Sequence, residues 1–171
     1  ETLTLEEAIQ TVVEYETRVR ELYKEAVAGA TEEVGKKLFN LMADEEQGHL
    51  DYLMSRFDEW ERTGKIVAAD LATLLPPQDV LDKGKEKLAA QVEDKDWTTE
   101  LQFLQQALKL ESETGAFYKK MVDELDLEGK QMFQQFLAIE DAHYDVVQAQ
   151  IDALTNTGFW FDFMEFSLEA G

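Results

Sequence analysis

The chain contains no cysteine, which excludes disulfides, thiolate metal ligands and iron–sulfur clusters while leaving the redox compartment open. Proline occurs twice and glycine nine times in 171 residues, too rarely for a loop-rich or low-complexity chain. Basic residues are also few, 16 against 37 acidic ones, for a formal net charge of -21. That balance confers solubility, disfavours nucleic acid and attracts cations. No apolar run approaches the ~20 residues of a membrane span, so no membrane partner is expected. Glu1-Thr2-Leu3-Thr4 lacks the basic and apolar regions of a signal peptide. The start at Glu rather than Met reads as a trimmed or processed end, and the chain as soluble and cytoplasmic.

What is present is helical periodicity. Apolar residues make up 44% of the chain, enough for one substantial core, so residues 1–171 are read as a single all-α domain. Thr4 with Glu7 forms a capping box, and Leu5, Ile9, Val12, Glu16, Val19, Tyr23 and Ala26 then follow helical spacing over 5–28. A second helix over 32–62 carries Leu38, Met42, Glu46, His49, Leu53, Phe57 and Trp60, and stops near Thr63-Gly64. Residues 64–97 read as a crossover, broken by Pro76-Pro77, with a short helix around 78–91. Its length lets the flanking long helices run parallel. A third long helix over 98–124 aligns Leu101, Leu104, Leu108, Glu111, Gly115, Tyr118 and Val122. A fourth over 127–155 aligns Phe133, Phe136, Glu140, His143, Val147, Ile151 and Leu154. The tail 156–171 is too aromatic for a free terminus. It either folds over the helices or makes a subunit contact, as in a homodimer, and folding back is preferred.

The two histidines of the chain each lie three residues after a glutamate, in Glu46-x-x-His49 and Glu140-x-x-His143, and residues three apart share a helix face. A single such motif arises readily by chance. Here the surroundings repeat as well: Gly35, Lys36, Phe39 and Asp51 recur as Gly129, Lys130, Phe133 and Asp145. Glu16 with Tyr23 recurs as Glu111 with Tyr118. Internal duplication is the economical account, with a pseudo-twofold axis relating the halves. Glu16, Glu46, Glu111 and Glu140 all interrupt apolar stripes that carry no lysine or arginine. Buried, ionised and unpaired, they would be very unfavourable; two divalent cations would neutralise them, with His49 and His143 completing a nitrogen and oxygen donor set. The alternative is four solvated glutamates and two ordinary core histidines. Taken alone, Tyr23 and Tyr118 read as packing residues or as hydrogen-bond partners of the ligands.

These residues resemble the ferritin-like di-iron carboxylate proteins and, within them, the rubrerythrin-type domain, over roughly residues 5–155. The resemblance implies a ferritin-like four-helix bundle with a long crossover between the second and third long helices. It implies Glu16 as a terminal ligand of one iron near Glu46 and His49, and Glu111 of the other near Glu140 and His143. Glu46 and Glu140 would bridge the metals, and Tyr23 and Tyr118 would support the ligands as the residues nearest to catalysis. Two departures stand out. Rubrerythrins typically carry another glutamate where this chain has Thr114, and this chain has no cysteine-bound rubredoxin domain.

The implied function is a di-iron oxidoreductase, a peroxidase acting on hydrogen peroxide or on dioxygen, with electrons from a separate donor protein. Ferroxidase activity in iron handling or storage is the alternative, and a non-catalytic helical interaction protein the third. Manganese, zinc or a mixed pair would satisfy the same donors, which do not select iron uniquely.

Overall fold

The computed structural model describes residues 3–65, 71–88 and 96–163. Among them are five helices and no strand: α1 (Leu5–Gly29), α2 (Glu33–Thr63), α3 (Gln78–Leu88), α4 (Thr98–Glu124) and α5 (Leu127–Thr157). The four long helices fall within a few residues of their expected spans because their ends carry local signals. The Thr4 hydroxyl accepts from the Glu7 N–H at 3.1 Å, while the Glu7 carboxylate accepts from the Thr4 N–H at 2.8 Å. A cap of this kind is worth ~1 kcal/mol. Both α2 and α5 stop at glycines in the left-handed region, Gly64 at φ 71° and Gly158 at φ 75°, where a Cβ would be strained. The crossover helix begins at Gln78 as expected; positions 89–91 of its expected span lie outside the described residues.

Short links, 30–32 and 125–126, fold α1 against α2 and α4 against α5 as antiparallel pairs. The pairs join where α1 packs on α4. Tyr23 meets Glu111 and Glu16 meets Tyr118, so α1 and α4 are antiparallel and α2 therefore runs parallel to α4. Between them the chain therefore passes from the end where α2 stops back to the end where α2 began, as the length of the crossover allows. No described helix is long and apolar enough to cross a membrane.

Two apolar clusters fill the interior. One gathers Val19, Tyr23, Phe39, Met42, Leu104, Val147 and Trp160; the other gathers Ile9, Val12, Leu53, Tyr118, Met121, Phe133 and Phe136. Burying each large side chain contributes about 1.5–3 kcal/mol. In sequence, Glu16 falls between Val12 and Val19, Glu46 and His49 between Met42 and Leu53, and Glu140 and His143 between Phe136 and Val147. The polar residues thus form a belt between the clusters. On α4 the inward face is turned slightly from the expected one. Ala107, Thr114 and Met121 are buried, whereas Leu101, Leu108, Gly115 and Val122 are half-buried. Packing on both α1 and α5 widens the covered arc beyond a single stripe.

The tail folds back as far as residue 163; Met164, Glu165 and Phe166 lie outside the described residues. Trp160, Phe161 and Phe163 are buried. The Gln150 amide clasps the Phe161 backbone in both directions, accepting from its N–H at 3.0 Å and donating to its carbonyl at 2.5 Å. Trp97 Nε1 donates to the Gly158 carbonyl at 2.9 Å, and Lys37 pairs with Asp162 at 2.8 Å.

Candidate metal centre

Each long helix delivers its polar residues to the belt: α1 Glu16, α2 Glu46 and His49, α4 Glu111, α5 Glu140 and His143. None is more than 2% exposed. Glu46, His49, Glu140 and His143 each offer a ligand atom within 4.8 Å of the others, a spacing that could hold a metal ion. Glu16 and Glu111 border this group. His49 Nδ1 lies 3.4 Å from Glu16, 3.6 Å from Glu46 and 4.0 Å from Glu140. His143 Nδ1 lies 3.1 Å from Glu46, 3.6 Å from Glu111 and 3.9 Å from Glu140. The two imidazoles stack, with centroids 5.0 Å apart and planes 7° from parallel. All six candidate ligands therefore converge, and none is splayed into solvent.

Placing four carboxylates among apolar side chains has an electrostatic consequence. Ionised, Glu46 Oε2, Glu111 Oε2 and both Glu140 oxygens have no donor within the protein. Burial, reinforced by the neighbouring charges of Glu16 and Glu111, pushes Glu46 and Glu140 well above the usual carboxylate range. Their neutral forms are thereby favoured, while Glu16 and Glu111 are pushed the other way. Burial opposes ionisation of Glu16 too, but hydrogen bonds from Glu46, His49 and Tyr118 outweigh it and lower Glu16 to about 2. Glu111 is lowered likewise: burial is overcome by Glu140 and His143. The imidazoles shift the other way. Burial disfavours their charge, yet Glu16 and Glu45 raise His49, and Glu111 with Glu45 raises His143 well above its usual value. All four shifts of Glu46, Glu140, His49 and His143 thus run toward the protonated form, the direction that offsets the buried negative charge.

Tyr23 and Tyr118 exchange partners across the halves. The Tyr23 hydroxyl donates to Glu111 at 2.9 Å, and the Tyr118 hydroxyl donates to Glu16. Each tyrosine is wholly enclosed and leans on the phenylalanine of its own half, Tyr23 on Phe39 and Tyr118 on Phe133. Phe136 closes one wall, edge-on to His49 with centroids 5.5 Å apart and stacked on Tyr118 at 5.1 Å. Thr114 is buried, and its hydroxyl donates to the Leu110 carbonyl at 2.8 Å on its own helix, so that position adds no carboxylate.

Helical spacing missed Glu45. It is 3% exposed and lies 3.1 Å from His143 Nε2. Burial opposes its ionisation, but His143, His49 and the Leu74 amide prevail and hold it far below the usual range. The Glu45-Glu46 doublet at the stripe's edge is the one signal that could have found it. Glu100 was missed as well; it is buried, accepts from the Thr31 hydroxyl at 2.9 Å and ties α4 to the α1–α2 link rather than to the centre.

The residues fit a bound metal ion on two grounds: buried carboxylate oxygens lack hydrogen-bond partners, and Glu46, His49, Glu140 and His143 bring oxygen and nitrogen donors together. No family model, curated protein or solved structure matches this chain.

Proposed function

We propose that this chain is a ferritin-like protein of the rubrerythrin type, its four long helices forming a bundle around two metal ions. Iron is the metal we assign first. Glu16, Glu46, His49, Glu111, Glu140 and His143 would hold the pair, and its activity would be the reduction of hydrogen peroxide or dioxygen with electrons from a separate donor protein. The carrying observation is the set of buried carboxylate oxygens without donors, brought together from α2, α4 and α5 beside the buried Glu16 of α1. An apolar interior tolerates such a set when cations replace the protons it otherwise needs.

Two iron ions bound there would supply a pair of electrons and a Lewis-acidic surface for an oxygen species. The protein's own part is to position and to exclude water. Tyr23 and Tyr118 hold Glu111 and Glu16 by hydrogen bonds from the opposite half. Glu46 and Glu140, whose pKa values burial raises, would have to lose any proton they hold when cations bind. Phe133 and Phe136, both fully buried, keep solvent from that side.

The test uses reduced, iron-loaded protein under anaerobic conditions, with metal content measured in the same samples. Two ions per chain and peroxide consumption faster than in Glu46→Ala are expected. Equal rates would reject the reductase. Accumulation of many irons per chain would favour iron storage instead.

A further inference from the structure

Glu45 lies outside the repeated pattern but among the ligands. One residue before Glu46, it projects about 100° around the helix from it. Its Oε2 approaches both imidazoles on their Nε2 edges, at 3.1 Å in a hydrogen bond with His143 and at 3.5 Å in an ion-pair contact with His49 that lacks hydrogen-bond geometry. Because the rings are stacked, those edges lie side by side, and one carboxylate reaches both. The opposite edges present Nδ1 to the other carboxylates. Glu45 Oε1 is occupied differently: it accepts from the Thr73 hydroxyl at 2.8 Å and from the Leu74 backbone N–H. Both donors belong to the crossover, 28 and 29 residues along the chain.

We propose that Glu45 is the positioning residue for both histidines of the metal centre, and that Thr73 and Leu74 clamp it in place and so tie the crossover to the site. A neutral imidazole carries one N–H, and an acceptor beside Nε2 keeps the hydrogen there. Nδ1 is then left with the lone pair that a metal needs. The same carboxylate does this by a hydrogen bond at His143 and by its nearby charge at His49, so one substitution disturbs two ligands together. The other half offers no counterpart, since the position matching Glu45 is Ile139. The proposal deepens the metal-binding reading and rests on it.

The experiment is an anaerobic titration of metal-free protein with Co(II), followed by calorimetry and by the visible ligand-field spectrum, with helix content measured in parallel. Nitrogen NMR of the histidines in the Zn(II)-loaded protein reports which ring nitrogen keeps its hydrogen. Glu45→Ala should weaken binding about 10–100-fold, the range for groups that orient ligands. It should also change the spectrum and disturb the Nε2–H signal of both histidines. Glu45→Gln cannot satisfy both sides, because its NH2 must face either the imidazole donors or the Thr73 and Leu74 donors; an intermediate loss is expected. Thr73→Val removes one donor from an exposed loop residue and should weaken binding several-fold, near the low end of that range.

Wild-type protein that takes up no Co(II) would overturn the metal reading itself, before any variant is compared. Wild-type binding of two ions, with unchanged affinity, spectrum and nitrogen signals in folded Glu45→Ala, would overturn the role of Glu45 alone. If Glu45→Ala does not fold, unchanged binding in both Glu45→Gln and Thr73→Val overturns it equally.

Discussion

The two halves of the molecule, α1 with α2 and α4 with α5, agree at the centre and part company just outside it. Each contributes a glutamate from one helix, a Glu-x-x-His from the next, a tyrosine aimed at the opposite glutamate and a phenylalanine beneath that tyrosine. Around this shared set the halves differ. Tyr23 and Phe39 sit under Trp160 from the folded tail, whereas Tyr118 is stacked on Phe136. Gly35 leaves room for Trp160, whose Cζ2 would lie 2.7 Å from an added Cβ; at Gly129 the nearest atoms, on Leu125 and Leu5, would lie at 3.3 Å. Glu45 corresponds to Ile139 in the repeat, which carries no carboxylate. The groups that would touch metal, and the tyrosines that hold them, are duplicated, while Glu45 and the tail that packs over one half are not. Ligands to a shared centre are under the same demand in both halves, whereas the crossover and the tail each occur once and have no counterpart to match.

The comparison can be broken most severely within the carboxylate pairs, which differ in protonation rather than in chemistry. Glu16 and Glu111 are ionised beside imidazoles, so Glu16→Gln or Glu111→Gln should cost metal-free protein about 3–5 kcal/mol, as when one member of a buried pair is removed. Burial pushes Glu46 and Glu140 toward the neutral form, which a neutral amide resembles. Glu46→Gln or Glu140→Gln should leave the metal-free melting temperature nearly unchanged yet weaken metal binding beyond the roughly 100-fold typical of residues that merely support ligands. Chemical denaturation and metal titration of the four variants separate these outcomes; equal destabilisation of all four would contradict the assignment.

A pH series sharpens the same contrast. Glu46, Glu140, His49 and His143 have folded-state values raised above 4.5 for the acids and 6.5 for the histidines. Their contribution is complete below those unfolded values and is lost as pH rises through the folded ones. Glu16 contributes above 4.5 and loses its effect as pH falls toward about 2. Metal-free protein should therefore melt at lower temperature as pH is raised beyond neutrality. Metal binding releases the same protons and strengthens with pH, so loaded protein should lose less or gain. Parallel slopes with and without metal in calorimetry would argue against proton displacement.

Smaller effects probe the enclosure. Tyr23→Phe and Tyr118→Phe each remove a hydrogen bond to a charged carboxylate and should cost about 1.5–3 kcal/mol in denaturant unfolding. Gly35→Ala must push against the Trp160 ring and should cost about 1–3 kcal/mol, whereas Gly129→Ala meets flexible leucine ends and should cost less than ~1 kcal/mol. Equal costs at the two glycines would mean that the tail does not hold Trp160 as described.

Much of the fold and of the centre is legible in the order of residues. Thr4 and Glu7 announce the start of α1, Gly64 marks the end of α2, and the six interrupted stripe positions are all buried. The face of α4 is turned, with Thr114 rather than Gly115 inward, because contact with two neighbouring helices buries a broader arc than one apolar stripe marks. Glu45 escapes for a related reason: one residue away from Glu46 it leaves the stripe, and what encloses it is a loop donating from 28 residues downstream. Spacing locates a side chain on its own helix and is silent about what approaches from elsewhere.

By itself, then, the sequence determined the helices and which polar groups would be driven inward with them, since both follow from local periodicity and from the energetics of burial. Packing decided in which direction each glutamate's pKa moves, which carboxylate lies at each edge of the imidazoles, and that one glutamate from outside the repeat lies beside both rings. Those outcomes depend on distances of about 3 to 4 Å between atoms remote in sequence, where charge and hydrogen bonding change steeply with position.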